Sequence, residues 1–163
     1  MRVGRTVFAG IVLVLSSGCH QVSKPVSKLD LVDPVTSNQL LKGFWQVESD
    51  SWRWTAREFA AALAPPERAE QRGATLYVHL YIPVHQIESL GPMTLSAKTE
   101  GRALQSETFS KGGAYIYSSE IPGELLATSI LPVEFSFDKA MPAYKSDGRE
   151  LAAIVSEIEL ETN

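Results

Sequence analysis

Only one cysteine occurs in the 163 residues, Cys19, so no internal disulfide and no thiolate zinc site can form within the chain. Histidine is also scarce, with His20, His79 and His85 the complete set. Basic side chains are outnumbered, 15 Lys and Arg against 19 Asp and Glu, which argues against a nucleic-acid binder because that function needs a basic face. No apolar run is long enough to span a bilayer. The longest, residues 6–15, would extend about 15 Å as a helix, half of a hydrocarbon core. The motifs GxSxG, HExxH, GxGxxG and the P-loop are all missing. What remains is 44% hydrophobic and 21% charged, too apolar for a disordered chain and of a length for one domain.

The first nineteen residues, MRVGRTVFAGIVLVLSSGC, have the layout of a secretory signal. Arg2 and Arg5 form a basic start, the apolar run follows, and small residues lead into Cys19. A lone Cys after Ser17-Gly18 resembles the lipobox of bacterial lipoproteins, although Ser16 stands where that family usually has Leu and Leu15 lies one residue earlier. The resemblance implies cleavage after residue 18 and diacylation of the Cys19 thiol. Two or three acyl chains hold a protein stably on a membrane where one does not. His20, rather than Asp, follows the cysteine. In lipoproteins of this type that implies the outer membrane, facing the periplasm. Cleavage removes two arginines and no acid, so the acyl chains, with no polybasic patch, would provide the attachment.

Residues 19–42 carry scattered polar residues, two prolines and no sustained period, and are read as a lipid-anchored linker with a short turn of helix at 37–41. A flexible coil of ~23 residues reaches about 25 Å on average, enough to lift a small domain off the head groups.

From Gly43 to the end, turn signals recur every ten or so residues and the segments between them alternate, the pattern of an all-β sandwich or barrel. The clearest strand is 74–83, with Leu76, Val78, Leu80 and Ile82 on one face, Tyr77, His79 and Tyr81 on the other, and Pro83 closing it. Strand 132–138 places Val133, Phe135 and Phe137 inward. Strand 150–161 alternates Ser156, Ile158 and Leu160 with Glu157, Glu159 and Glu161. Its first half is apolar on both faces, as a central strand would be. Further strands are expected at 44–49, 93–99, 103–110 and 114–121, with Glu100-Gly101 as a tight hairpin turn and another turn at Lys111-Gly112-Gly113. Segment 53–62 is rich in helix formers but also alternates. It is read as a strand, followed by the Pro65-Pro66 break and one helical turn at 67–71. The expected architecture is an antiparallel, two-sheet, jelly-roll-like sandwich of about eight strands.

Segments 43–48, 52–55, 137–140 and 147–160 resemble a β-sandwich accessory module found beside bacterial glycosyltransferases. The resemblance implies a sandwich of carbohydrate-binding type and supplies no catalytic residue.

Chemistry is sparse. His79 and His85 lack nearby Cys, Asp or a third His in the sequence, so no metal site and no cofactor are expected. No catalytic pair stands out among the acids, and no catalysis is expected. Aromatic residues offer more. Trp52, Arg53 and Trp54 alternate so that both indoles point one way, either into the core or outward as a platform. With Tyr77, His79 and Tyr81 they are the candidate ligand-binding residues, and Cys19 is the lipidation site. Arg53 and Arg149 are expected to pair with acids such as Asp50, Asp138 or Asp147. The functional expectation is a lipid-anchored envelope protein whose sandwich binds glycan or an envelope protein. A periplasmic glycan-active enzyme and a purely structural lipoprotein are the alternatives. An apolar, aromatic groove on one sheet would favour glycan, whereas two carboxyls opposed across a cleft would favour the enzyme.

Overall fold

A computed structural model describes residues 24–163. The expected signal sequence, Cys19 and His20 lie outside the described residues.

Ten antiparallel strands form one curled sheet that folds over into two layers. They are β1 (Lys28–Asp30), β2 (Leu40–Glu48), β3 (Trp52–Leu63), β4 (Ala74–Ile82), β5 (Met93–Thr99), β6 (Arg102–Ala103), β7 (Glu107–Phe109), β8 (Gly113–Ile121), β9 (Leu131–Phe137) and β10 (Ile154–Thr162). Two short helices, α1 (Ala69–Arg72) and α2 (Val84–Leu90), connect them. The sheet runs β6-β5-β9-β3-β10-β4-β8, with β1 joined to β10, β2 to β3 and β7 to β5. The chain is therefore an all-β sandwich, with more strands than the eight expected.

β3 makes the corner between the layers. Arg53 and Trp54 pair with β10, whereas Glu58–Leu63 pair with β9. Its helix-forming alanines lie in a strand because Ala60, Ala61 and Ala62 are all buried there, so tertiary packing overrides propensity. Between the layers, Leu76, Val78, Leu80 and Ile82 of β4 share one core with Leu95 of β5 and Val133, Phe135 and Phe137 of β9.

The structure corrects three expectations. Residues 28–42 are part of the sandwich and not a linker. Leu29 and Leu31 are fully buried, β1 extends the sheet beside β10, and a 3-10 helix spans Pro34–Gln39. The amide of Gln39 bonds to the carbonyls of Val26 and Ala62, which fixes this segment to β3. Four residues of this segment are buried: Leu29 and Leu31 alternate over too short a stretch to read as a strand, and Thr36 and Gln39 are polar.

The expected strand 103–110 is split. Thr99 and Arg102 flank a tight turn, where Glu100 and Gly101 both have positive φ (47° and 76°), as the two central positions of a type I′ hairpin require. The chain then leaves β5, and the Gln105 carbonyl accepts from the Tyr117 hydroxyl of β8 before β7 rejoins β5.

In β10 the alternation breaks. A register shift falls between Val155 and Glu157. Val155 and Ile158 are both buried, and Ser156 is exposed rather than inward. One extra residue in a strand reverses the facing of everything after it. Ala152 and Ala153, just before β10, and Val155 within it are fully buried, while Ile154 stays half-buried.

Candidate functional site

β4 lies between β10 and β8, and its outer residues form the middle of a three-strand face. Register places Tyr81 between Ile154 and Ala114, His79 between Glu157 and Ile116, and Tyr77 between Glu159 and Ser118. The inward Leu and Val residues of β4 pin this face to the core, so its outer side chains stand on a rigid support.

A groove of about 540 Å³ crosses the upper part of the face. Its apolar wall is Trp52, Tyr81, Ile116 and Ile154, and His79 and Ser156 add polar groups. Trp52 is placed there by the β2–β3 hairpin, whose turn residues Ser49 and Asp50 both have positive φ (51° and 50°). Tyr81 and Ile116 remain 43% and 56% exposed, so both are open to a ligand in the groove. An aromatic ring in such a groove stacks on apolar C–H faces, while the polar groups fix orientation.

Beside the groove lies a charged cluster. His79 Nε2 is 3.5 Å from Glu157 Oε1 and 3.7 Å from Glu159 Oε1. The Lys28 ammonium of β1 bridges the same carboxylates at 2.8 and 3.0 Å. Hydrogen bonds to Glu157 and then Glu159 hold the Lys28 pKa above the ordinary lysine range, so it remains a cation. The two carboxylates sit on one face of one strand with a shared counter-charge. They are not opposed across a cleft. No further donor stands near His79 in the sequence because both glutamates lie far along the chain. The antiparallel register of β4 with β10 is the signal that joins them.

The structure gathers Trp52, His79 and Tyr81 and leaves other candidates elsewhere. Trp54 is only 9% exposed, packed with Met141 and Leu151 in a small second cluster outside the main core. Trp54 is thus covered, whereas Trp52 is half-buried, with its indole N–H out of solvent and without a hydrogen-bond partner among the described residues. Arg53 donates to the carbonyls of Leu31 and Trp45 and has no acid partner among the described residues. Tyr77 lines a separate, polar groove with Thr75, Ser118 and Arg102. His85 lies on α2, where it is exposed. Arg149 does pair with Asp147, and also with Glu48 at 2.7 Å. The guanidinium hydrogen bonds hold the Asp147 carboxyl below its usual range. This arrangement joins the loop before β10 to the end of β2.

No protein-family model matches the sequence, and no curated protein does. Similar solved folds include a dimeric latent PorU from Porphyromonas gingivalis, 12% identical over 65% of this chain and 10% of that one, TM-score 0.41. Another is a family GH115 4-O-methyl-α-glucuronidase with specificity for decorated arabinogalactans, 8% identical over 86% of this chain and 18% of that one, TM-score 0.49. A CBM4 structure is 9% identical over 72% of this chain and 74% of that one, TM-score 0.35. This chain spans only about a tenth of the first of these proteins and under a fifth of the second.

Proposed function

We propose that this chain is a non-catalytic glycan-binding module, held at the cell envelope through an acylated Cys19. One observation carries the reading: the open groove in which Trp52 and Tyr81 flank Ile116 and Ile154, with His79 at its polar end. A pyranose offers an apolar C–H face for the aromatic groups and hydroxyls for the imidazole. The groove also meets the size expected of a small-ligand cleft, roughly 300–1,000 Å³. The joined, ammonium-bridged pair Glu157 and Glu159 does not form the opposed carboxyls that glycoside hydrolysis needs, which favours binding over catalysis. The lipobox-like sequence at Cys19 supports the anchor, and His20 after it supports the outer membrane.

The test is a glycan array probed with the full chain and with Trp52→Ala and Tyr81→Ala. Selective binding to at least one polysaccharide, lost in both variants, is expected. No binding across the array, or binding unchanged in both variants, defeats the reading. The anchor is tested by labelled palmitate: uptake should disappear in Cys19→Ser, and uptake that persists would refute acylation there.

A further inference from the structure

The geometry points to a divalent-metal site formed by His79, Glu157 and Glu159, with the Lys28 ammonium as the cation that occupies its charge when no metal is bound. One ligand atom from each of the three residues falls within 4.8 Å of the others. Zinc bonds of about 2.0–2.2 Å in a tetrahedron place neighbouring ligand atoms roughly 3.3–3.6 Å apart. The observed 3.5 Å and 3.7 Å from His79 Nε2 to the two carboxylates are close to that spacing. The side chains are 37%, 24% and 13% exposed, shielded enough to limit competition from water yet open to an entering ion.

Placement follows from the backbone. Without the shift between Val155 and Glu157, alternation from buried Val155 would send Glu157 and Glu159 into the core. The shift turns both onto the outer face, Glu157 directly opposite His79 and Glu159 two positions along, opposite Tyr77. An imidazole with two carboxylates suits zinc and neighbouring late first-row ions better than calcium or magnesium, which prefer oxygen alone. Three protein ligands leave a fourth vertex for water. Lys28 is the competitor: its side chain is 57% exposed, so it can withdraw into solvent when a doubly charged ion arrives.

The inference does not depend on glycan binding, since only His79 of the three ligands lines the groove. Zinc chloride titrated calorimetrically into the full chain in detergent should show saturable uptake of one ion at this site. The His79 imidazole resonances should shift on zinc addition. His79→Ala and Glu159→Gln should each weaken uptake about tenfold or more. Lys28→Met should tighten it by removing the competing ammonium. No saturable uptake overturns the site, and so does wild-type affinity in His79→Ala, which would put the ion elsewhere. Unmoved His79 resonances overturn it even if a variant fails to fold, and weaker uptake in Lys28→Met overturns the competitor role.

Discussion

Phe59 shows how much one side chain can carry. Its ring stacks on Phe135 at 4.7 Å, lies 6.3 Å from Phe137 and meets Phe44 edge-on at 5.4 Å, which ties β2, β3 and β9 together. Phe59→Ala should cost about 3–5 kcal/mol in urea unfolding, because transfer and cavity terms add. Tyr81→Ala, on the exposed groove, should change stability by no more than about 0.5 kcal/mol, so that any loss of binding reports the site. Gly43 is constrained differently. Its φ is +75° and an added Cβ would fall 2.1 Å from the Glu58 carbonyl, so only glycine lets β2 cross β3 this closely. Tyr117 gives the fold an alkaline limit. Burial holds its phenol above the ordinary tyrosine range, and its hydroxyl donates to the Gln105 carbonyl. The unfolded chain releases that proton near pH ~10 while the fold keeps it, so stability falls as pH rises past about 10. Chemical denaturation across that range should show a steeper alkaline loss in wild type than in Tyr117→Phe.

At the scale of elements, β10 is the piece on which both face and core depend. It pairs with β1, β3 and β4, and its register shift sets which residues look outward. Deleting Ser156 removes the extra residue, so that Val155 and Glu157 become neighbours opposite Leu80 and His79 and plain alternation keeps Glu157 and Glu159 on the outer face. The expected result is a folded chain by circular dichroism; an unfolded or aggregated chain would contradict this account of the shift. The substitution Ser156→Ala keeps the extra residue and should fold normally. β4 and β9 were readable because strict alternation along each matches one buried face. The expected strand 103–110 and the inward place expected for Ser156 fail for a shared reason, whereas Ile158 and Leu160 are buried as their alternation with the glutamates indicates. Alternation continues through a change of partner or an added residue, and neither event leaves a mark in side-chain polarity.

For the whole molecule, the point at which the folded part begins matters most. Reading residues 19–42 as linker would suggest that a chain starting at Gly43 is sufficient. The structure assigns Leu29 and Leu31 to the core and β1 to the sheet. Burying each leucine contributes about 1.5–3 kcal/mol, a large share of the roughly 5–15 kcal/mol that a domain has in total. A chain starting at Lys24 should therefore unfold cooperatively on heating, and one starting at Gly43 should melt far lower or fail to stay soluble. Equal melting temperatures would show that the N-terminal strand adds nothing.

Periodicity by itself determined that this chain is a β-sandwich, where its best strands lie and which face of β4 is polar, because a half-buried strand writes its two environments into alternate residues. It also gave the tight turn at Glu100-Gly101, since positive φ at consecutive positions is legible in residue type. Only the tertiary structure decided which strands lie side by side. That pairing separates Trp52 from Trp54, commits Arg53 to backbone carbonyls and brings His79 to two glutamates from the far end of the chain. Contacts of that kind follow from strand order and register, which are set by the packing of the whole sheet and not by any local run of residues.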